Sequence, residues 1–183
     1  MIETILDNLA GSLEKLMPEV DRSIGLDAVV LTVARDDLLT ILKRLRDEPA
    51  LDFKLMIDIT AIHYPEAEKP LVAVYQFLSV KHNHRIRVKV PLSEGESVPS
   101  IIGLWRCANW YEREMYEMFG ILVSDHPDLR RLLTEYDFEG HPLRKEFPVY
   151  GRFQVKYDEE QRRVVRKPTK LEVPFREIYG RDG

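Results

Sequence analysis

The 183-residue sequence predicts an α+β fold, a mostly antiparallel sheet with helices on one face, followed by an extended C-terminal tail. Three observations carry that prediction. Two stretches in the first 50 residues place leucine and isoleucine at helical spacing. Three runs rich in β-branched and aromatic residues follow between 55 and 90, separated by short polar connections. Beyond Gly120 the periodicity stops and prolines recur at 127, 142, 148, 168 and 174. The expected division is a globular body over 1–120 and a tail over 121–183.

Each element follows from local chemistry. Ile2, Ile5, Leu6, Leu9, Leu13 and Leu16 share one helical face, and Pro18 ends that helix. The stretch 27–33 follows Gly25 and is dense in valine, so it reads as a strand. Asp36 can cap a second helix that turns Leu38, Leu39, Leu42 and Leu45 inward and stops at Pro49. The runs 55–62, 71–80 and 85–90 form an antiparallel meander, its turns marked by Pro65 and Pro70 and by Asn83. On the last strand His84, Ile86, Val88 and Val90 face one way, and Arg85, Arg87 and Lys89 form a cationic stripe on the other. Two helices are then expected, over 98–105 and 110–119. Asn109 and Glu112 read as a capping box for the second, and Gly120 as its left-handed terminator. Tyr111, Met115, Met118 and Phe119 make its apolar side, while Glu112, Arg113, Glu114 and Glu117 supply charge.

Composition removes several functional classes. The longest apolar runs are about five residues, far short of the roughly 20 needed to span a bilayer. A single cysteine excludes an internal disulfide and a four-thiolate cluster site supplied by this chain. Cys107 fits a buried apolar role. The acid-rich first 21 residues resemble neither a secretory signal nor a transit peptide. Net charge is −4, unevenly spread: residues 141–183 hold 11 Lys/Arg and 7 Asp/Glu, a net +4, which leaves −8 on 1–140. That basic end also carries six aromatics, Phe147, Tyr150, Phe153, Tyr157, Phe175 and Tyr179, which a disordered linker would lack. An extended segment this aromatic points to a tail that lies on another protein.

Candidate chemistry is sparse. His82 and His84 alternate beside a strand, but no third ligand stands at a recognisable spacing, so they read as polar hairpin residues. A free-standing metal hydrolase built on them and nearby carboxylates is the alternative. Glu112, Glu114, Glu117 and His126 could supply metal ligands, although Arg113 among them favours an ion-pair network. No phosphate-cradling glycine loop occurs. The basic cluster 162–167 could meet nucleic acid, but Asp158, Glu159 and Glu160 adjoin it and the whole chain is acidic.

The densest stretch is 109–148. Glu112-Arg113-Glu114-Met115-Tyr116-Glu117-Met118-Phe119-Gly120-Ile121, then His126-Pro127-Asp128-Leu129-Arg130-Arg131-Leu132-Leu133, then 138–148 from Phe138 through His141, Pro142 and Arg144 to Pro148, closely resemble one family's signature. It is the C subunit, or 30 kDa subunit, of proton-pumping NADH–quinone oxidoreductase. Glu117 stands where many relatives carry aspartate and keeps the carboxylate.

The resemblance implies a protein with no flavin, iron–sulfur cluster, metal or substrate site of its own; FMN and the clusters belong to partner subunits. It implies a tail laid over the D (49 kDa) subunit, near the cluster-bearing B and I subunits. The chain would then be peripheral, on the cytoplasmic side of the bacterial membrane, reaching the bilayer only through the complex and binding no nucleic acid. Membrane-bound hydrogenases and ferredoxin-linked dehydrogenases use a related subunit and remain open as alternatives. Interface candidates are Glu112, Arg113, Glu114, Glu117, His126, Asp128, Arg130, Arg131, His141, Arg144, Phe147, Phe153, Tyr157 and Phe175. Two roles stand open for Arg113, Glu114, Arg130 and Arg131: anchoring the body–tail junction against neighbours, or bracing this chain's own turn after Gly120. The two His-Pro pairs are expected to set turns.

Overall fold

A computed structural model describes residues 2–148 and 153–168. In chain order the elements are α1 (Ile2–Leu16), β1 (Asp21–Ile24), β2 (Val29–Thr32), a 3-10 turn (Arg35–Asp37), α2 (Leu38–Asp47), β3 (Leu55–His63), β4 (Leu71–Ser79), β5 (His84–Leu92), β6 (Ser97–Pro99), α3 (Ala108–Phe119), β7 (Leu122–Ser124), β8 (Phe153–Asp158) and β9 (Arg163–Pro168). Five strands form one sheet in the order β1-β2-β5-β4-β3. All neighbours are antiparallel except β2 and β5, which run parallel with Val29 opposite Ile86.

The α+β prediction therefore holds, and the meander β3-β4-β5 falls where the alternation placed it. Ile86, Val88, Val90 and Leu92 are buried while the intervening Arg87 and Lys89 stay partly exposed. One continuous core joins this face to Leu6, Leu9 and Leu13 of α1, to α2, and to Met115, Met118 and Phe119 of α3. Helix α2 ends at Asp47 because Glu48, which precedes Pro49, is forced into extended backbone (φ −69°, ψ 120°).

Several local expectations give way to tertiary structure. Residues 98–105 are not a helix: Val98 pairs in parallel with Val123, and turns fill the stretch up to Cys107. The cap residue of α3 is Cys107, so Asn109 lies inside the helix and no capping box forms. Cys107 is exposed rather than buried, since the turn before α3 leaves it at the surface. Leu39 is exposed and Ile41 is buried instead, because the inward stripe of α2 runs Leu38, Ile41, Leu42, Leu45 at i, i+3, i+4, i+7 and Leu39 lies off it. Asp36 lies within that turn, and no side-chain cap bond forms there.

The compact first unit runs Met1–Lys145, well past the expected boundary at 120. The second unit, Glu146–Gly183, contains the antiparallel hairpin β8–β9, in which Phe153 faces Pro168 and Tyr157 faces Val164. Tyr150, Phe175 and Tyr179 lie outside the described residues.

Candidate functional site

Helix α3 carries the motif charges, and it buries them. Glu112, Arg113 and Glu117 are 0%, 7% and 1% exposed, alongside Met115, Met118 and Phe119. A buried charge needs compensating hydrogen bonds. For Arg113 and Glu117 the partners are mostly main-chain groups of a segment with neither helix nor strand, residues 126–145; for Glu112 they are Ser100 and Ile101.

Glu117 is the centre of this clasp. One carboxylate oxygen accepts from the backbone amides of Leu132 and Leu133 at 2.7 and 2.8 Å. The other accepts from the Thr134 amide at 2.6 Å and from the Thr134 hydroxyl. Burial alone would push this carboxyl up, but the four donors outweigh it and hold Glu117 below the ordinary carboxylate range. One turn earlier, Arg113 donates from Nε to the Arg130 carbonyl (2.9 Å) and from Nη2 to the Arg131 carbonyl (3.0 Å). Arg131 in turn donates to the Phe138 carbonyl (2.7 Å) and the Thr134 hydroxyl (3.0 Å).

A second set of contacts holds the end of the segment. Gly120 terminates α3 in the left-handed region (φ 77°), its amide bonded to the Tyr116 carbonyl. The His141 ring lies over it so closely that a Cβ at 120 would sit 2.6 Å from Nε2. His141 Nδ1 faces the Glu117 carbonyl at 2.9 Å, which makes that nitrogen the donor. Arg144 donates from Nε to the Phe119 carbonyl at 2.6 Å and forms a bidentate pair with Glu94 at 3.0 and 3.1 Å. The Leu143 amide reaches the Met118 carbonyl, and the Lys145 amide reaches His63 Nδ1.

Glu112 works on the opposite side of the helix axis. It accepts from the Ile101 amide (2.6 Å) and the Ser100 hydroxyl (2.8 Å), tying α3 to the turn after β6. Desolvation dominates here, and the Ile101 and Ser100 bonds only partly oppose it, so its carboxyl is pushed up. The fully buried His126 ring lies 3.8 Å away. Its Nδ1 accepts from the Asp128 amide, so Nε2 carries the proton and donates to the Asn109 carbonyl at 3.2 Å. Tyr75, wholly buried, has its hydroxyl pushed up first by desolvation and then by the Glu112 charge.

The remaining candidates fall elsewhere. Glu114 is exposed on α3. Asp128 and Arg130 pair with each other at 3.0 Å near the surface. Phe147 is half-buried, Phe153 and Tyr157 are exposed on the hairpin, and Phe175 lies outside the described residues. His82 and His84 stack at 5.8 Å, but no cluster of three metal-ligating side chains occurs among the described residues. The residues that sequence reasoning missed are Ser100, Thr134, His63 and Glu94. Each meets its partner across 12 to 82 positions, and nothing local signals such a pairing.

This arrangement fixes polypeptide in place: Arg113 donates to two main-chain carbonyls, and Glu117 accepts from three main-chain amides and the Thr134 hydroxyl. Residues 31–153 match the model of the family described as respiratory-chain NADH dehydrogenase, 30 kDa subunit. The C subunit of NADH-quinone oxidoreductase from Methylobacterium sp. (strain 4-46) is 48% identical over 177 residues, covering 97% of this chain and 81% of the relative. Its counterpart from Hyphomonas neptunium is 44% identical over 173 residues, 93% and 86% of the two chains. In a solved membrane-bound sulfane sulfur reductase, an archaeal respiratory membrane complex, one chain shares the fold with a TM-score of 0.66 at 20% identity. That match covers 78% of this chain and 85% of the other. With most of its length matched at this level, the chain belongs to the 30 kDa subunit family of the respiratory-chain NADH dehydrogenase.

Proposed function

We propose that this chain is the non-redox scaffold subunit of the peripheral arm of NADH–quinone oxidoreductase, docked on the D (49 kDa) subunit through its C-terminal unit. Electrons pass from NADH through FMN and iron–sulfur clusters of partner subunits, including the B and I subunits, to quinone, coupled to proton translocation. The chain sits at the cytoplasmic side of the membrane as a peripheral protein. No helix among the described residues is long and apolar enough to cross a bilayer, which fits attachment through partners.

The hairpin β8–β9 is the observation that carries this reading. Strand alternation and register put Phe153, Val155, Tyr157 and Val164 on one face together with Arg166, and Lys156, Arg163 and Lys167 on the other together with Val165 and Asp158. The four apolar side chains are 56–61% exposed. Two strands alone are marginal in water, and burying each such side chain stabilises by about 1.5–3 kcal/mol. A partner surface supplies that burial, and the basic back of the ribbon suits an acidic neighbour. An equivalent role in a related membrane-bound complex is the second reading, favoured by the fold shared with the archaeal reductase chain. The 44–48% identities favour the first.

The test is purification of the complex from native membranes carrying Tyr157→Asp or Phe153→Asp in the full chain. Loss of the D subunit from the purified material, with the chain's own melting temperature unchanged, is expected. Undiminished recovery of D would contradict the docking. The wild-type chain purified alone is expected to show no flavin absorbance, no iron and no NADH oxidation.

A further inference from the structure

The three charged side chains that α3 buries are not equally committed to their charge. Arg113 is tied to two carbonyls, which only accept. Glu117 has Arg131 Nη1 at 3.9 Å and takes three backbone amides, which only donate. Glu112 takes one amide, that of Ile101, and one hydroxyl, that of Ser100. A hydroxyl serves as donor or acceptor by turning its hydrogen.

The titratable groups that face Glu112 are Tyr75 from β4 and His126 from the clasped segment. The buried Tyr75 hydroxyl has no hydrogen-bond partner among the described residues, so it gives the carboxylate nothing. The His126 ring gives its Nε2 proton to the Asn109 carbonyl, and a second ring proton would have to displace the Asp128 amide from Nδ1. Strands β6 and β7 contain no ionisable residue. On β3, Asp58 stands opposite Gln76, on the other sheet face from Tyr75, and His63 Nδ1 takes the Lys145 amide. A fully buried carboxylate with one amide and one hydroxyl is weakly compensated.

We propose that Glu112 is a proton-binding site inside the fold, one that holds carboxylate or carboxylic acid on the same two partners. On uptake, a proton from solvent bonds to Oε2 and the site passes from negative to neutral. The 2.8 Å contact with Ser100 then reverses, Oε2–H donating to Oγ, while Oε1 keeps the Ile101 amide. Ser100 is partly exposed, so its own hydrogen turns to water. Burial, which pushes the Glu112 carboxyl up, acts in the same direction as this geometry. The turn after β6 stays tied to α3 in both charge states. The inference concerns the interior of this chain and does not depend on what the hairpin docks against.

Carbon-13 NMR of the full-length chain labelled at glutamate Cδ tests it, the Glu112 resonance being the one that Glu112→Gln removes. Its titration midpoint is expected above the ordinary value near 4.5. Across that midpoint the protection factor of the Ile101 amide should change by less than about threefold. A midpoint at or below the ordinary value overturns the proposal. So does a larger loss of protection at Ile101, which would mean that protonation opens the site. Infrared spectroscopy in D2O reads the reversed bond. The carboxylic C=O band that Glu112→Gln removes should move to higher frequency in Ser100→Ala, where the acid has lost its acceptor; an unmoved band contradicts the role given to Ser100.

Discussion

At the scale of single residues, the two buried glutamates of α3 are held in opposite ways. Glu117 accepts four hydrogen bonds and its carboxyl lies below its ordinary value near 4.5; Glu112 is dominated by desolvation and lies above it. A lowered folded-state pKa contributes stability above the unfolded value and loses it as pH falls through the folded one. A raised pKa does the reverse, its contribution present below the unfolded value and lost as pH rises through the folded one. Glu117→Gln, which must turn an amide NH2 toward either the Leu132 and Leu133 amides or the Thr134 amide and hydroxyl, should destabilise by about 3 kcal/mol at pH 7. Its deficit against wild type should shrink below about pH 4.5 in chemical denaturation. Glu112→Gln keeps an acceptor for Ile101 and sheds a buried charge, so it should cost no more than about 1 kcal/mol at pH 7. Gly120→Ala faces a left-handed φ and the His141 ring together. A loss of about 2 kcal/mol or more in thermal denaturation is expected, above the roughly 1 kcal/mol that φ alone costs.

At the scale of elements, α3 is a three-sided helix: Met115, Met118 and Phe119 face the core, Glu112 faces the β6 turn, and Arg113 with Glu117 face the clasped segment. Its tie to that segment through Arg113 depends on a planar fork spanning two carbonyls, which an ammonium cannot reproduce. Arg113→Lys should therefore speed amide exchange around 130–134 while leaving β3, β4 and β5 untouched; uniform acceleration across the sheet would mean the arginine supports the core instead. How legible these elements are in sequence depends on how local their causes are. The meander and the stop at Gly120 follow from alternation and from one left-handed residue. Val98 could not be read as a strand, because its partner Val123 lies beyond an intervening helix. Glu112 resembled a capping residue because spacing cannot reveal that Ser100 and Ile101 fold back onto it. Arg113 and Glu117 are covered by the return of 126–145, which nothing in the helix's own sequence signals.

At the scale of the molecule, the fold invests Arg113 and Glu117, two of the three buried charges of α3, in holding one irregular segment, and its second unit exposes an amphipathic hairpin. The family signature, read as a surface for partners or as a brace for the chain itself, supplies the brace through Arg113, Glu117, His141 and Arg144. The claim on which everything else depends is that this clasp holds in the full-length chain without partners. Native-state hydrogen exchange at the Leu132, Leu133 and Thr134 amides measures it directly. The clasp predicts protection on the order of 100-fold or more at these three amides, despite their irregular backbone, and its loss in Glu117→Gln. Exchange at the rate of an open loop in the wild-type chain would contradict it.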